Sequence, residues 1–178
     1  MILYIVCFGI AVIVGVIAES VFIPFMISRN ASQTERDIME SHVAKQGTPT
    51  MGGVGILIAF VCGCIPAIAS YPRILPVMVL TVGFGLIGFL DDYLKVILRR
   101  SDGLLAWQKM LLQILVTTIF AVWLIKFTDV SLLIRIPFTG GYMLDIGPLA
   151  VVLIYFAVIG TVNGTNFTDG IDGLSSSV

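Results

Sequence analysis

The 178-residue sequence predicts an all-α polytopic membrane protein: five transmembrane helices plus the start of a sixth, with a short outer β-hairpin between helices four and five. Three observations carry that prediction. Apolar side chains make up 58% of the chain and charged ones only 12%, with a mean hydropathy of +1.06, whereas a soluble domain is about 25% charged. The apolar residues gather into five runs, each near the ~20 residues that a spanning helix needs. Polar and glycine-rich blocks concentrate at the run ends. The net charge of −1 and the scattered basic residues give no footprint for nucleic acid, so no such partner is expected.

The runs cover residues 2–27, 51–71, 74–94, 107–126 and 148–166, and a sixth begins near Gly173. The first lacks the basic leading segment of a cleavable signal and continues past Glu19, so it is a retained span with one interior or interfacial acid. Pro66, Pro72 and Pro76 crowd the short turn between the second and third runs, where helices must end. Residues 129–146 alternate loosely, and their two β-prone arms flank Thr139, Gly140 and Gly141, the pattern of an exposed hairpin. Cys7, Cys62 and Cys64 lie within apolar runs and are expected to pack as small hydrophobes; a lone Cys-x-Cys is a poor zinc site. His42 is expected to be an ordinary loop residue. No internal repeat divides the chain, which reads as one transmembrane domain over residues 1–178.

Five spans put residues 28–50, 95–106 and 163–173 on one side of the membrane. That side carries Arg29, Arg36, Lys45, Lys95, Arg99, Arg100 and Lys109, against Arg73, Lys126 and Arg135 on the other. The positive-inside bias therefore places the N-terminus outside and the richer side in the cytoplasm.

Three polar blocks fall on this cytoplasmic side. The first runs from Lys45 through Gly47, Thr48, Pro49, Thr50 and Met51 to Gly52 and Gly53. Its amides, hydroxyls and ammonium ahead of a helix N-terminus form an anion cradle, or else an ordinary helix start with Thr50 as N-cap and Gly52 and Gly53 allowing close helix packing. The second is Gly88-Phe89-Leu90-Asp91-Asp92-Tyr93-Leu94-Lys95. On a helix Asp91 and Lys95 share a face while Asp92 projects about 100° away; such a pair suits Mg²⁺ and phosphate chemistry, or forms a solvated helix end. In the third, Asn163-Gly164-Thr165-Asn166-Phe167-Thr168-Asp169-Gly170-Ile171-Asp172-Gly173, the polar side chains of Asn166, Asp169 and Asp172 recur every three residues. A helical continuation aligns them along one side; a polar interfacial loop is the other possibility, and the spacing is not that of an EF-hand.

In this order and together, the three blocks resemble those of the polyprenyl-phosphate N-acetylhexosamine-1-phosphate transferases, and the first block is similar to that of the muramoyl-pentapeptide branch. The resemblance implies a ten-helix membrane enzyme of the bacterial cell membrane, dimeric, with its active site in the cytoplasm. Such an enzyme uses Mg²⁺ to transfer phospho-N-acetylmuramoyl-pentapeptide from the UDP-sugar to undecaprenyl phosphate, releasing UMP and forming the first lipid-linked intermediate of peptidoglycan synthesis.

By motif, Asp91 is implied as the catalytic acid that deprotonates the lipid phosphate or attacks the diphosphate, with Asp92 its partner near the metal and lipid phosphate. Lys45, Gly170, Ile171 and Asp172 are implied at the uracil, and Thr50, Asn166 and Asp169 around the ribose and diphosphate. A further metal ligand is expected beyond Val178, so the chain is expected to be the N-terminal half of such an enzyme and inactive alone. The alternatives are transfer of N-acetylglucosamine phosphate to the same lipid, or an ion-coupled transporter using Glu19, Asp91 and Asp92. Polar groups gathered at one membrane face favour an enzyme over a transporter, whose polar groups belong near mid-span.

Overall fold

The computed structural model describes residues 1–28, 51–96 and 103–168. The expectations for His42, Lys45, Thr50, Asp169, Gly170, Ile171, Asp172 and the sixth helix fall outside these residues. The chain forms two compact units, Met1–Met110 and Leu111–Val178.

The first unit is built from α1 (Ile2–Ser28), α2 (Gly53–Ile68), α3 (Ile74–Val96) and the opening of α4 (Ala106–Phe127). Helices α1 and α2 run antiparallel, joined by small residues at four-residue intervals, the spacing that keeps one helix face in register. A Cβ on Gly63 would sit 2.8 Å from Ala11 Cβ, one on Gly15 would sit 3.3 Å from Ala59 Cβ, and one on Gly55 would sit 2.7 Å from Glu19 Cδ. Gly55, Ala59, Gly63 and Ala67 are the buried residues of α2, one face of the helix. Without lipid-independent hydrophobic drive between spans, this close backbone approach supplies the packing. Glu19 fills the notch opposite Gly55.

At one end of the unit, the Tyr4 hydroxyl donates to the Tyr71 hydroxyl at 3.2 Å, so the N-terminus and the α2–α3 turn share that end. In that turn the amides of Ser70 and Tyr71 both donate to Ala67 O, and Ile74 N–H donates to Tyr71 O. Pro76 falls in the first turn of α3, where its missing N–H deprives the helix of nothing. At the opposite end, Met26 and Met51 form a small core with Phe22, Phe89 and Val96 packed against it.

The second unit holds the rest of α4, the strands β1 (Ile134–Arg135) and β2 (Met143–Leu144), and α5 (Leu149–Thr168). The strands pair antiparallel, Ile134 with Leu144 and Arg135 with Met143, and Ile136 N–H donates to Tyr142 O at 3.0 Å. Gly140 (φ 69°) and Gly141 (φ 104°) take the left-handed backbone of the turn, so the hairpin expected between the fourth and fifth helices is present. Gly147 N–H donates to Asp145 Oδ1 at 2.9 Å and turns the chain into α5.

The architecture is that of an all-α polytopic membrane protein. Four of the described helices, α1, α3, α4 and α5, are long and apolar enough to cross a membrane. Helix α2 has 16 residues, shorter than the 51–71 run expected. It starts late because Met51 adopts φ 70°, outside the helical region. Gly52 occupies the cap position with no side-chain hydrogen bond. Among the described residues nothing lies within 4 Å of where a Cβ on Gly53 would be, so the close-packing glycines of α2 are Gly55 and Gly63 rather than Gly52 and Gly53.

Candidate active site at the end of the third helix

The last turns of α3 carry the two adjacent carboxylates, and the helical geometry gives them different surroundings. Asp91 is buried, with 7% of its surface exposed. Its Oδ2 accepts a hydrogen bond from Lys95 Nζ at 2.8 Å, the i, i+4 pair that the spacing predicted, and lies 3.7 Å from Lys109 Nζ in α4. Its Oδ1 accepts the Leu104 N–H at 2.9 Å. Both oxygens of Asp91 are therefore engaged: two cations balance the charge, and a backbone amide ties the carboxylate to the segment that leads into α4.

Gly103 makes this tie possible. Its backbone has φ +59°, and a Cβ there would fall 2.6 Å from Asp91 Oδ1 and 2.6 Å from Lys95 Cε. A residue with a side chain meets both a strained backbone and an occupied space. At the start of α4, Leu105 N–H donates to the Gln108 side-chain oxygen at 3.1 Å, satisfying one orphan donor of the first turn.

Asp92 points elsewhere. It lines a cavity of about 410 Å³ together with Met51, Gly53, Val54, Leu57, Leu86 and Phe89, and Gly85 and Gly88 complete the α3 wall. Among the described residues its carboxylate makes no hydrogen bond or ion pair. The cavity is thus an apolar slot with one acid on its wall. Met51 closes part of the slot from its left-handed position and is itself buried.

In the second unit, Asn163 and Gln113 exchange side-chain hydrogen bonds: Gln113 Nε2 to Asn163 Oδ1 at 3.3 Å and Asn163 Nδ2 to Gln113 Oε1 at 2.8 Å. Asn166 lies one turn further along α5 and is exposed. Asp91, Asp92, Lys95 and Lys109 are thus brought together in the first unit, and Asn166 belongs to the second. Among the described residues no three His, Cys, Asp or Glu side chains gather as a ready metal cage. An open carboxylate such as Asp92 nevertheless fits Mg²⁺, which is commonly held by one or two carboxylates with substrate phosphates and water completing its shell.

Lys109, Gly103 and the Leu104 amide did not enter the sequence-predicted site. Lys109 could have been found as a cation at the start of an apolar run. The amide partner depends on the path of the connecting segment and leaves no compositional signal. Gln113 and Thr117 did not enter the sequence-predicted site either; two polar residues one turn apart within a span are the signal that could have found them.

Apolar helices, with two adjacent carboxylates and two lysines beside an apolar slot at one helix end, are the features of a multi-pass membrane protein with a candidate polar site at that end. The sequence pattern of Glycosyl transferase family 4 matches residues 74–178, from α3 onward, and that of the phospho-N-acetylmuramoyl-pentapeptide-transferase signature 1 matches residues 45–58. The chain belongs to glycosyl transferase family 4.

Among similar proteins, the phospho-N-acetylmuramoyl-pentapeptide-transferase of Clostridioides difficile is 35% identical over 170 residues, covering 95% of this chain and 52% of that protein. The protein of the same name from Desulforamulus reducens is 40% identical over 175 residues, covering 94% and 52%. The Bacillus subtilis one is 38% identical over 170 residues, covering 92% and 52%. The chain spans about half the length of these curated relatives.

Proposed function

We propose that this chain carries part of the active site of a membrane phospho-sugar transferase that moves phospho-N-acetylmuramoyl-pentapeptide from its UDP carrier to undecaprenyl phosphate. An oxygen of the lipid phosphate bonds to the β-phosphorus of the UDP-sugar, the bond to the α-phosphate oxygen breaks, and UMP leaves. The observation that carries this reading is the open Asp92 carboxylate on the wall of an apolar cavity, next to the Asp91, Lys95 and Lys109 cluster. The names of the relatives supply the substrate.

Phosphoryl transfer asks a protein for positioning and charge neutralisation more than for covalent help. In this proposal the slot beside α3 receives the lipid end and Asp92 faces its phosphate. When bound there, Mg²⁺ would neutralise phosphate charge, with Asp92 among its ligands. The Asp91 carboxylate is the base that takes the lipid-phosphate proton, aimed by Lys95 and the Leu104 amide; Lys95 and Lys109 hold positive charge close to where phosphate charge shifts. Lys45, Thr50, Asn166, Asp169, Gly170, Ile171 and Asp172 are proposed to hold the nucleotide. The N-terminus is outside, the site cytoplasmic, and the full-length protein a homodimer in the bacterial cell membrane.

The test is UMP release by the full-length protein given UDP-N-acetylmuramoyl-pentapeptide, undecaprenyl phosphate and Mg²⁺. Asp91→Asn and Asp92→Asn are each expected to lower the rate by at least about 100-fold, the scale of a lost acid–base group. Full rate in either variant removes that residue from the catalytic pair. Preference for UDP-N-acetylglucosamine would move the protein to the other branch of the family, and ion flux without UMP release would make it a transporter.

A further inference from the structure

We infer that the reciprocal amide pair of Gln113 and Asn163 is a positioning device that sets the rotation of α5, and through it the azimuth of Asn166 toward the nucleotide half of the UDP-sugar. The inference rests on the function proposed above and adds two residues to it. An amide inside a span is costly unless it is paired, so its presence calls for an explanation. Here the two amides pair reciprocally. Gln113 is 1% exposed and gives and receives one hydrogen bond with Asn163, whose second amide hydrogen goes to Ile159 O at 2.9 Å. The Thr117 hydroxyl, fully buried, donates to Gln113 O at 2.7 Å.

A single polar contact leaves two helices free to pivot about it. A second one lies further along: Thr118 Oγ1 and the Tyr155 hydroxyl are 2.7 Å apart. Moving from Gln113 to Thr118 goes toward the C-terminus of α4, while moving from Asn163 to Tyr155 goes toward the N-terminus of α5, as antiparallel helices require. Two polar rungs at different heights determine both the slide and the rotation of α5 on α4, because a slip of one residue turns the helix by about 100° and breaks both. Asn163 and Asn166 are three residues apart and share a face. Whatever fixes Asn163 therefore fixes where Asn166 faces, and Asn166 itself makes no side-chain hydrogen bond among the described residues.

The test uses the full-length protein with Gln113→Leu, Asn163→Leu, the double variant, and the exchange Gln113→Asn with Asn163→Gln, which keeps both amides and the total number of methylenes. Each single variant is expected to raise KM for the UDP-sugar about tenfold, with KM for undecaprenyl phosphate unchanged within about threefold. The double variant should be no worse than the poorer single, the mark of a coupled pair. The exchange should recover most of the loss. Additive losses, equal rises in both KM values, or an exchange no better than the singles would overturn the inference. The geometry is read separately: with Cys7, Cys62, Cys64 and any further native cysteine replaced by Ala, Gln113→Cys and Asn163→Cys together should cross-link under mild oxidation, and no cross-link also overturns it. Failure of the parent reading looks different, since the unaltered full-length protein would then release no UMP at all.

Discussion

Asp91 and Asp92 are neighbours in the chain with opposite surroundings, and the difference follows from the 100° step of a helix. The sequence made the Asp91–Lys95 pair legible, because i, i+4 spacing on a helix needs no tertiary information. It could not show that Lys109 and the Leu104 amide converge on the same carboxylate, since both depend on how the α3–α4 connection folds back. Gly103 is the residue on which that fold-back rests. Gly103→Ala, which adds a Cβ against Asp91 and Lys95 at φ +59°, is expected to cost about 2 kcal/mol. The detergent-solubilised protein should melt about 4 °C or more lower. Gly53→Ala, placed where nothing lies within 4 Å, should leave the melting temperature unchanged.

At the level of helices, hydropathy alone located every described span, and the bounds moved by a few residues at most except in α2. What composition hid was the packing code. Gly52 and Gly53 stand out in the sequence as a glycine pair, yet the ladder that joins α1 to α2 uses Ala11, Gly15, Gly55, Ala59 and Gly63, dispersed at four-residue steps through apolar runs. Periodicity of small residues carries this information; their clustering does not. Gly63→Leu would drive a branched side chain into Ala11 and the Cys7 carbonyl, so overpacking is expected to cost about 3 kcal/mol. The expected readout is loss of the monodisperse peak in detergent chromatography for Gly63→Leu, against a normal peak for Gly88→Leu, where no atom lies within 4 Å of the added carbon.

For the molecule as a whole, the order of the described helices was legible from hydropathy, while the shared side of the polar blocks is an expectation from charge bias. Asn166 apart, the residues proposed to hold the nucleotide lie outside those described, and their roles rest on the resemblance. The proposed orientation has its own test: in cells whose native cysteines are replaced by Ala, Ser70→Cys should react with a membrane-impermeant maleimide from outside. Leu105→Cys should react only after the membrane is opened, and the reverse pattern would invert the topology. The shortness of α2 has a further consequence. Sixteen residues reach about 24 Å, against a hydrocarbon thickness of about 30 Å. Such a segment is a poor candidate for leaving the translocon by itself, whereas the 27-residue α1 is a good one. The glycine ladder is then expected to act in biosynthesis as well as in the finished structure, with α1 as the docking strip on which α2 enters the bilayer; Gly63→Leu should lower the inserted fraction of α2 in a glycosylation-tag insertion assay, and unchanged insertion would remove that role.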